Sequence, residues 1–189
     1  MINKKTWRQA QIQRLHTHQE EIDQAAAPLI TQLITSPFWA QAQTIATTVS
    51  GFGEVPTERL INLARTSGKT VVIPRTMPQR QMVFLPDPGP EHRIISEFGI
   101  PEPAFDPAAV VDKANIDLII VPGIAFSQDH GWRLGFGGGY YDRYLSDYSG
   151  TTCALVPDAM LFASPEWTVE AFDIPIDHLI TTKGLMSFE

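Results

Sequence analysis

Apolar positions along the chain alternate between a helical and a strand rhythm. Between residues 3 and 35, Trp7, Ile12, Leu15, Ile22, Leu29, Ile30 and Leu33 form an apolar stripe in a polar stretch. That stripe predicts one long helix or two. Asn3 is placed to cap its start, Pro28 to kink or divide it, and Ser36-Pro37 to stop it. Residues 43–50 (QTIATTVS) have the β-branched composition of a strand. Thr57 is placed to cap a helix running to about Ser67, and Gly68 ends it. Lys69–Pro74 predicts a second strand, Met82–Leu85 a short one, and 86–90 a Pro-Gly turn. The Pro-rich stretch 98–107 must run extended, and Pro107 can open a short helix to about Lys113. Ile116–Val121 reads as a buried central strand. After Gly139, the residues Tyr140, Tyr141, Tyr144, Leu145 and Tyr148 return to helical spacing. Thr151–Val156 and His178–Thr182 are the last strands, with a loop and a helical turn between them. Helices alternating with apolar strands predict a single α/β domain over 1–189, a three-layer sandwich with a mainly parallel sheet.

Charge and cysteine content narrow the function. The 189 residues carry a net charge of −7, which argues against a general nucleic-acid or anionic-membrane surface. Anionic ligands must therefore be met by a local basic cluster. A single cysteine, Cys153, allows no intrachain disulfide and reads as a buried strand residue. No apolar run approaches the ~20 residues of a membrane span, and the polar, basic N-terminus has no signal-peptide core. The cytoplasm is the expected compartment. The histidines show no metal-binding spacing, and no Gly-x-Ser-x-Gly elbow is present.

The chemistry concentrates in 121–145, VPGIAFSQDHGWRLGFGGGYYDRYL. Gly135, Gly137, Gly138 and Gly139 lie between a strand and a helix start, where bare backbone amides and the helix dipole favour an anion. Arg133 adds a full positive charge. Asp142 would repel a phosphate unless a cation lay between them, and Mg²⁺ is the simplest such cation. This is neither the Gly-Lys-Ser/Thr phosphate loop nor the dinucleotide GxGxxG pattern. The same residues also fit a flexible turn capped by an aromatic helix. Lys4 and Arg8 share a helix face, either solvated or turned to a ligand. Glu54 sits in a loop after a strand, a usual ligand position in open α/β sheets. Arg75 reads equally as an ion-pair partner or an anion contact.

VPGIAF, a short polar loop and RLGFGGGYYDRYL together resemble the signature of the 5-formyltetrahydrofolate cyclo-ligase family, also called 5,10-methenyltetrahydrofolate synthetases. KKTWR near the start and Asp173-Ile174-Pro175-Ile176-Asp177 near the end resemble the family's flanking motifs. The resemblance implies that Lys4 and Arg8 reach the ATP phosphates. It implies that Arg133, Leu134, Gly135, Phe136, Gly137, Gly138, Gly139, Tyr140 and Tyr141 line the ATP site. Val49, Glu54 and the run Gly135 to Tyr140 would contact the reduced folate, with Glu54 holding the pterin. Arg133 and Asp142 would be catalytic, and Asp142 and Asp173 would hold Mg²⁺. Asp177 is expected only to end a turn. The implied reaction turns 5-formyltetrahydrofolate and ATP into 5,10-methenyltetrahydrofolate, ADP and phosphate through a phosphorylated formyl group. A monomer acting on small molecules is expected, with no nucleic-acid or membrane partner. Two departures stand out. Phe136 and Gly138 occupy positions where some members carry a basic residue, which leaves phosphate charge to Lys4, Arg8 and Arg133. The segment PDAMLF (157–162) lacks a glutamine often found there. One alternative is a non-catalytic folate- or nucleotide-binding protein on the same fold. Another is a sugar-phosphate isomerase, for which Asp129-His130 is the only local acid/base pair.

Overall fold

A computed structural model describes residues 3–188. In chain order its elements are helices α1 (Lys4–Thr17), α2 (Gln19–Ile34) and α3 (Pro37–Gln41), strand β1 (Thr44–Thr47), helix α4 (Glu58–Thr66), and strands β2 (Thr70–Met77) and β3 (Gln81–Pro86). Two short strands, β4 (Ile94–Ile95) and β5 (Pro101–Glu102), precede β6 (Leu118–Ile120), β7 (Ala125–Ser127) and β8 (Arg133–Leu134). Helix α5 (Tyr140–Leu145) and strands β9 (Thr151–Val156), β10 (Leu161–Phe162), β11 (His178–Thr181) and β12 (Gly184–Ser187) complete the chain.

The main sheet has seven strands in the order β12-β11-β9-β6-β1-β2-β3. The five inner strands run parallel, and each edge strand is antiparallel to its neighbour. Parallel strands are covered on both faces, which is why β6 and most of β9 are apolar and buried. This is the expected α/β sandwich. The C-terminal ends of β1, β2 and β6 share one edge of the sheet, and the loops that follow them build the site there.

The sequence expectations fail in instructive places. The first helix divides at His18 rather than at Pro28, which lies inside α2. The Thr17 hydroxyl and the His18 ring both bond the Arg14 carbonyl, at 2.7 and 2.8 Å, and so compete with the next helical bond. Asn3 does cap α1, accepting from the Lys5 amide at 2.8 Å. Thr57 precedes α4 without capping it through its side chain. Its hydroxyl accepts from Ser50 N at 2.9 Å and donates to Thr48 O at 2.7 Å, closing the 48–57 loop at its base. The expected helix from Pro107 to Lys113 is two separate 3₁₀ turns. Asp106 and Asp112 each accept the amide two residues on, and Val111 bridges to Phe84 between the turns. Strand β2 continues past Pro74 to Met77, so Arg75 lies within it. Asp177 is structural: its carboxylate takes both Thr152 N and Thr152 Oγ1 at 2.8 Å and fixes the start of β9.

Candidate active site

The connection from β6 to α5 is more ordered than a glycine loop. Antiparallel β7 and β8 pair Ala125 with Leu134 and Phe126 with Arg133, and Gly135 to Gly139 emerge from the second strand. Gly137 has φ 106°, and a side chain there would meet the Arg8 guanidinium at 3.2 Å. At Gly135 an added Cβ would lie 2.5 Å from Arg133 Nη1. Both glycines thus let arginines close on the backbone. Helix α5 is six residues long, so its dipole is short and the cations carry most of the attraction for an anion.

Those cations have partners. The buried Arg133 donates from Nη2 to Asp142 Oδ1 at 3.0 Å and from Nη1 to Pro122 O at 3.2 Å. Lys4 Nζ bonds both oxygens of Asp173, at 2.6 and 2.9 Å. Asp173 also accepts the Glu170 amide at 2.8 Å, and the neighbouring Ile174 amide lies 3.4 Å from Asp142 Oδ1. The two aspartates therefore flank one point, each neutralised by a basic residue. This changes the reasoning from sequence, in which Asp142 needed a metal to sit beside a phosphate site; here the Arg133 guanidinium is the adjacent cation. Arg8, half-buried, donates from Nε to Gly135 O at 2.9 Å. Burial pulls its guanidinium below the ordinary value, and nearby Asp173 offsets part of that. Gln11, which the sequence pattern hid among polar helix positions, is buried and donates to Ile124 O and Ala159 O at 2.8 and 3.0 Å. It fixes α1, and with it Lys4 and Arg8, against the glycine segment.

Glu54 occupies the 48–57 loop. Its Oε2 accepts from Gly51 N at 2.6 Å, and the Gln19 side chain holds Gly53 N at 2.8 Å. Burial raises the Glu54 carboxyl above the usual range, with the Gly51 bond opposing. Tyr141 lies close enough to Glu54 and Arg133 to feel both charges. Its hydroxyl is buried, has no partner among the described residues, and is pushed up chiefly by desolvation. Val49 and Tyr140 complete this part, the Tyr140 ring meeting Phe98 edge-on at 6.1 Å.

One cleft of about 1080 Å³ is lined by Lys4, Arg8, Val49, Glu54, the whole run from Arg133 to Asp142, and Asp173. The structure thus brings every residue that the resemblance implied for the ATP, folate and metal contacts to a single cavity. Arg75 is not part of it; its guanidinium stands 3.4 Å from Glu102 Oε2, the ion-pair reading. Asp129 accepts the His130 amide on an exposed turn away from the cleft, so the isomerase alternative loses its pair. The segment 157–162 lies outside the cleft, with Ala159 and Met160 buried behind it. Sequence reasoning missed Thr76, Arg80, Phe98 and Glu102 on the opposite wall. The signals for that wall were a glutamate set between two prolines and a strand outrunning its apolar core. Among the described residues no group of three His, Cys, Asp or Glu side chains forms a metal cage. Two carboxylates suit Mg²⁺, which is commonly held by one or two carboxylates plus substrate phosphates and water.

A mainly parallel sheet whose strand ends carry a glycine-walled cleft lined by Lys4, Arg8 and Arg133 defines an α/β domain with a cavity chemically suited to an anionic ligand. Comparison with known proteins specifies it further. The profile of the 5-formyltetrahydrofolate cyclo-ligase family matches residues 2–182, and the chain belongs to that family of ligases. It is 32% identical over 168 residues to the 5-formyltetrahydrofolate cyclo-ligase of Escherichia coli K12, covering 86% of this chain and 89% of that one. The solved structure of Aquifex aeolicus 5,10-methenyltetrahydrofolate synthetase superposes with a TM-score of 0.83 at 27% identity, covering 100% of this chain and 94% of that one. A Mycoplasma pneumoniae 5,10-methenyltetrahydrofolate synthetase shares the fold, with a TM-score of 0.68 at 19% identity over 95% of this chain and 98% of that one.

Proposed function

We propose that the chain converts 5-formyltetrahydrofolate to 5,10-methenyltetrahydrofolate with cleavage of ATP to ADP and phosphate. The observation that carries this reading is the placing of two cation–carboxylate pairs, Arg133–Asp142 and Lys4–Asp173, in one cleft with Glu54. The cations suit phosphates, and Glu54 suits the adjacent N–H donors of a pterin edge. The Tyr141 hydroxyl, which has no partner among the described residues, would suit a carbonyl oxygen of the same substrate.

The formyl oxygen is a poor leaving group. Transfer of the γ-phosphoryl group to it makes phosphate the leaving group, and the bridging nitrogen then attacks the formyl carbon to close the ring. Positioning and charge neutralisation are the protein's main tasks in phosphoryl transfer, so no Ser, Cys or His nucleophile is needed. Arg8 and Arg133, braced on Gly135 O and Pro122 O, hold the phosphates against the glycines. The low exposure of Arg133 strengthens its hold on developing negative charge by keeping water away. Asp142 and Asp173 would hold Mg²⁺, which supplies further neutralisation of the transferring phosphoryl group. Among the described residues no helix is long and apolar enough to cross a membrane. The acidic surface and the buried free Cys153 suit a monomer working on small molecules in the cytoplasm.

Mixing protein, 5-formyltetrahydrofolate, ATP and Mg²⁺ should raise the methenyl-folate absorbance, with one ADP released per methenyl product. Tight binding of both ligands with no absorbance change would instead establish a non-catalytic binding protein.

A further inference from the structure

The cleft wall formed by β2 and β5 contains a buried polar anomaly. Glu102 is 2% exposed. Thr76 donates to its Oε1 at 2.9 Å, while Oε2 has no hydrogen-bond partner among the described residues. The Arg75 guanidinium approaches Oε2 at 3.4 Å without forming a hydrogen bond. Arg75 thus balances the charge and leaves the acceptor unused. Buried carboxylate oxygens without a donor are rare in native proteins. This one belongs to a residue lining the cleft beside the apolar Pro74, Met82, Phe98 and Ile100, with Thr76 and Arg80 as the other polar side chains of that wall.

Sheet order says which part of a ligand reaches this wall. Glu54 follows β1, Thr76 is in β2, and Pro122, which braces Arg133, follows β6. Strand β1 lies between β6 and β2. The cations and Glu102 therefore stand on opposite sides of Glu54. A carboxylate oxygen with a free acceptor position suits an N–H donor, and the apolar side chains around it suit an aromatic ring. Given the folate reaction proposed above, on which this inference rests, the group with both properties is the bridging arylamine. Its nitrogen must also close the ring.

We infer that Glu102 Oε2 accepts the hydrogen bond of the bridging N–H and so points that nitrogen's lone pair at the activated formyl carbon; as the new N–C bond forms, the bond from that carbon to the phosphate oxygen breaks, phosphate leaves, and the N–H proton passes to Glu102. Glu102 is then a substrate-positioning carboxylate for ring closure, with no part in phosphoryl transfer. Without it the phosphorylated formyl group still forms, but closure slows. Water then competes as nucleophile, releasing phosphate and returning 5-formyltetrahydrofolate, so ATP is cleaved without methenyl product.

The test is the ratio of ADP to methenyl product in Glu102→Met, which removes both acceptor oxygens, and in Glu102→Gln, which removes the charge and leaves one acceptor oxygen of two. The control is Arg93→Met. Arg93 anchors the start of β4, the partner of β5, to Asp87 and Glu58, so its loss loosens the same wall without touching Glu102. The ratio should lie close to one in wild type and in Arg93→Met, and in Glu102→Met the excess of ADP over methenyl product, relative to that product, should rise about tenfold, the weight of one hydrogen bond to a charged group. If Glu102→Met does not fold, Glu102→Gln carries the same comparison with a smaller rise. A ratio of one in the folded Glu102 variants overturns the inference. So does an equal rise in Arg93→Met, or a loss confined to ATP affinity. Wild type separates this from failure of the proposed function: no methenyl product from wild type overturns both, whereas coupled turnover in wild type and variants overturns only the role of Glu102.

Discussion

Removing the carboxylate charge at Asp173 should tighten one form of ATP binding and weaken another. In the structure Lys4 Nζ is bonded to both Asp173 oxygens, and the side chains are 19% and 6% exposed. Metal-free ATP must either draw Lys4 out of this pair or bind beside an uncompensated carboxylate. Breaking a buried pair from one side costs about 3–5 kcal/mol. Partial exposure of Lys4 and the second bond of Asp173, to Glu170 N, reduce the share that ATP binding opposes to roughly 1.5–3 kcal/mol. Asp173→Asn keeps an acceptor for Glu170 N while removing the charge. Metal-free ATP should then bind about 10- to 100-fold more tightly, as every 1.4 kcal/mol is a factor of ten. With Mg²⁺ present the sign reverses, because the variant has lost a proposed metal contact. Titration calorimetry with ATP in chelator, then with saturating Mg²⁺, reads both. If Asp173→Asn binds metal-free ATP no more tightly than wild type, the Lys4–Asp173 pair does not guard the phosphate site.

Three further outcomes follow from the geometry. Asp142→Asn should lower turnover by orders of magnitude and weaken the Mg²⁺ dependence. It should also lower Tm, by about 2–4 °C per kcal/mol in a domain of this size, because the buried Arg133 loses its counter-charge; unchanged turnover in a folded variant would remove Asp142 from the metal site. Arg8→Ala should raise the Michaelis constant for ATP well above that for folate, and equal effects on both would remove Arg8 from the phosphate site. Glu54→Gln should weaken folate binding by about 1.5–3 kcal/mol for each charge-assisted bond lost. It should also raise Tm slightly near neutral pH. The native carboxyl titrates above its unfolded value, so its ionised form destabilises the fold above that range, and the penalty fades as pH falls through it. A lower Tm for Glu54→Gln, with folate affinity intact, would make Glu54 a loop brace instead.

Much of the fold was legible because the parallel strands are buried on both faces and appear as apolar runs; Ile116–Val121 and Thr151–Val156 needed no further context. The errors came where side chains compete with the backbone. Thr17 and His18 divided a helix that Pro28 was expected to kink or divide, and Asp106 and Asp112 replaced a helix with two turns. In the site, the glycine segment, the cations and the aspartates were legible as residue types. Their pairing was not, because Lys4 and Asp173 are 169 positions apart. Gln11 and Glu102 were missed for a related reason: each looks like an ordinary surface residue, and only tertiary contacts bury it. Strand β12 was also missed, a short, partly exposed edge strand with a weak apolar signal.

The same long-range pair has a consequence for how the protein matures. The sheet centre can form from residues 44 to 156, but Lys4 and Arg8 precede that span and Asp173 follows it. Contacts this distant in sequence close late, after most of the loop entropy has been surrendered. A chain that has collapsed around its sheet but has not yet docked α1 and the segment before β11 would hold the glycine wall with Arg133 and Asp142 but without Lys4, Arg8 and Asp173. The full set of cations around the cleft is therefore assembled only when α1 has docked, and any anionic ligand of that cleft would favour only the finished molecule.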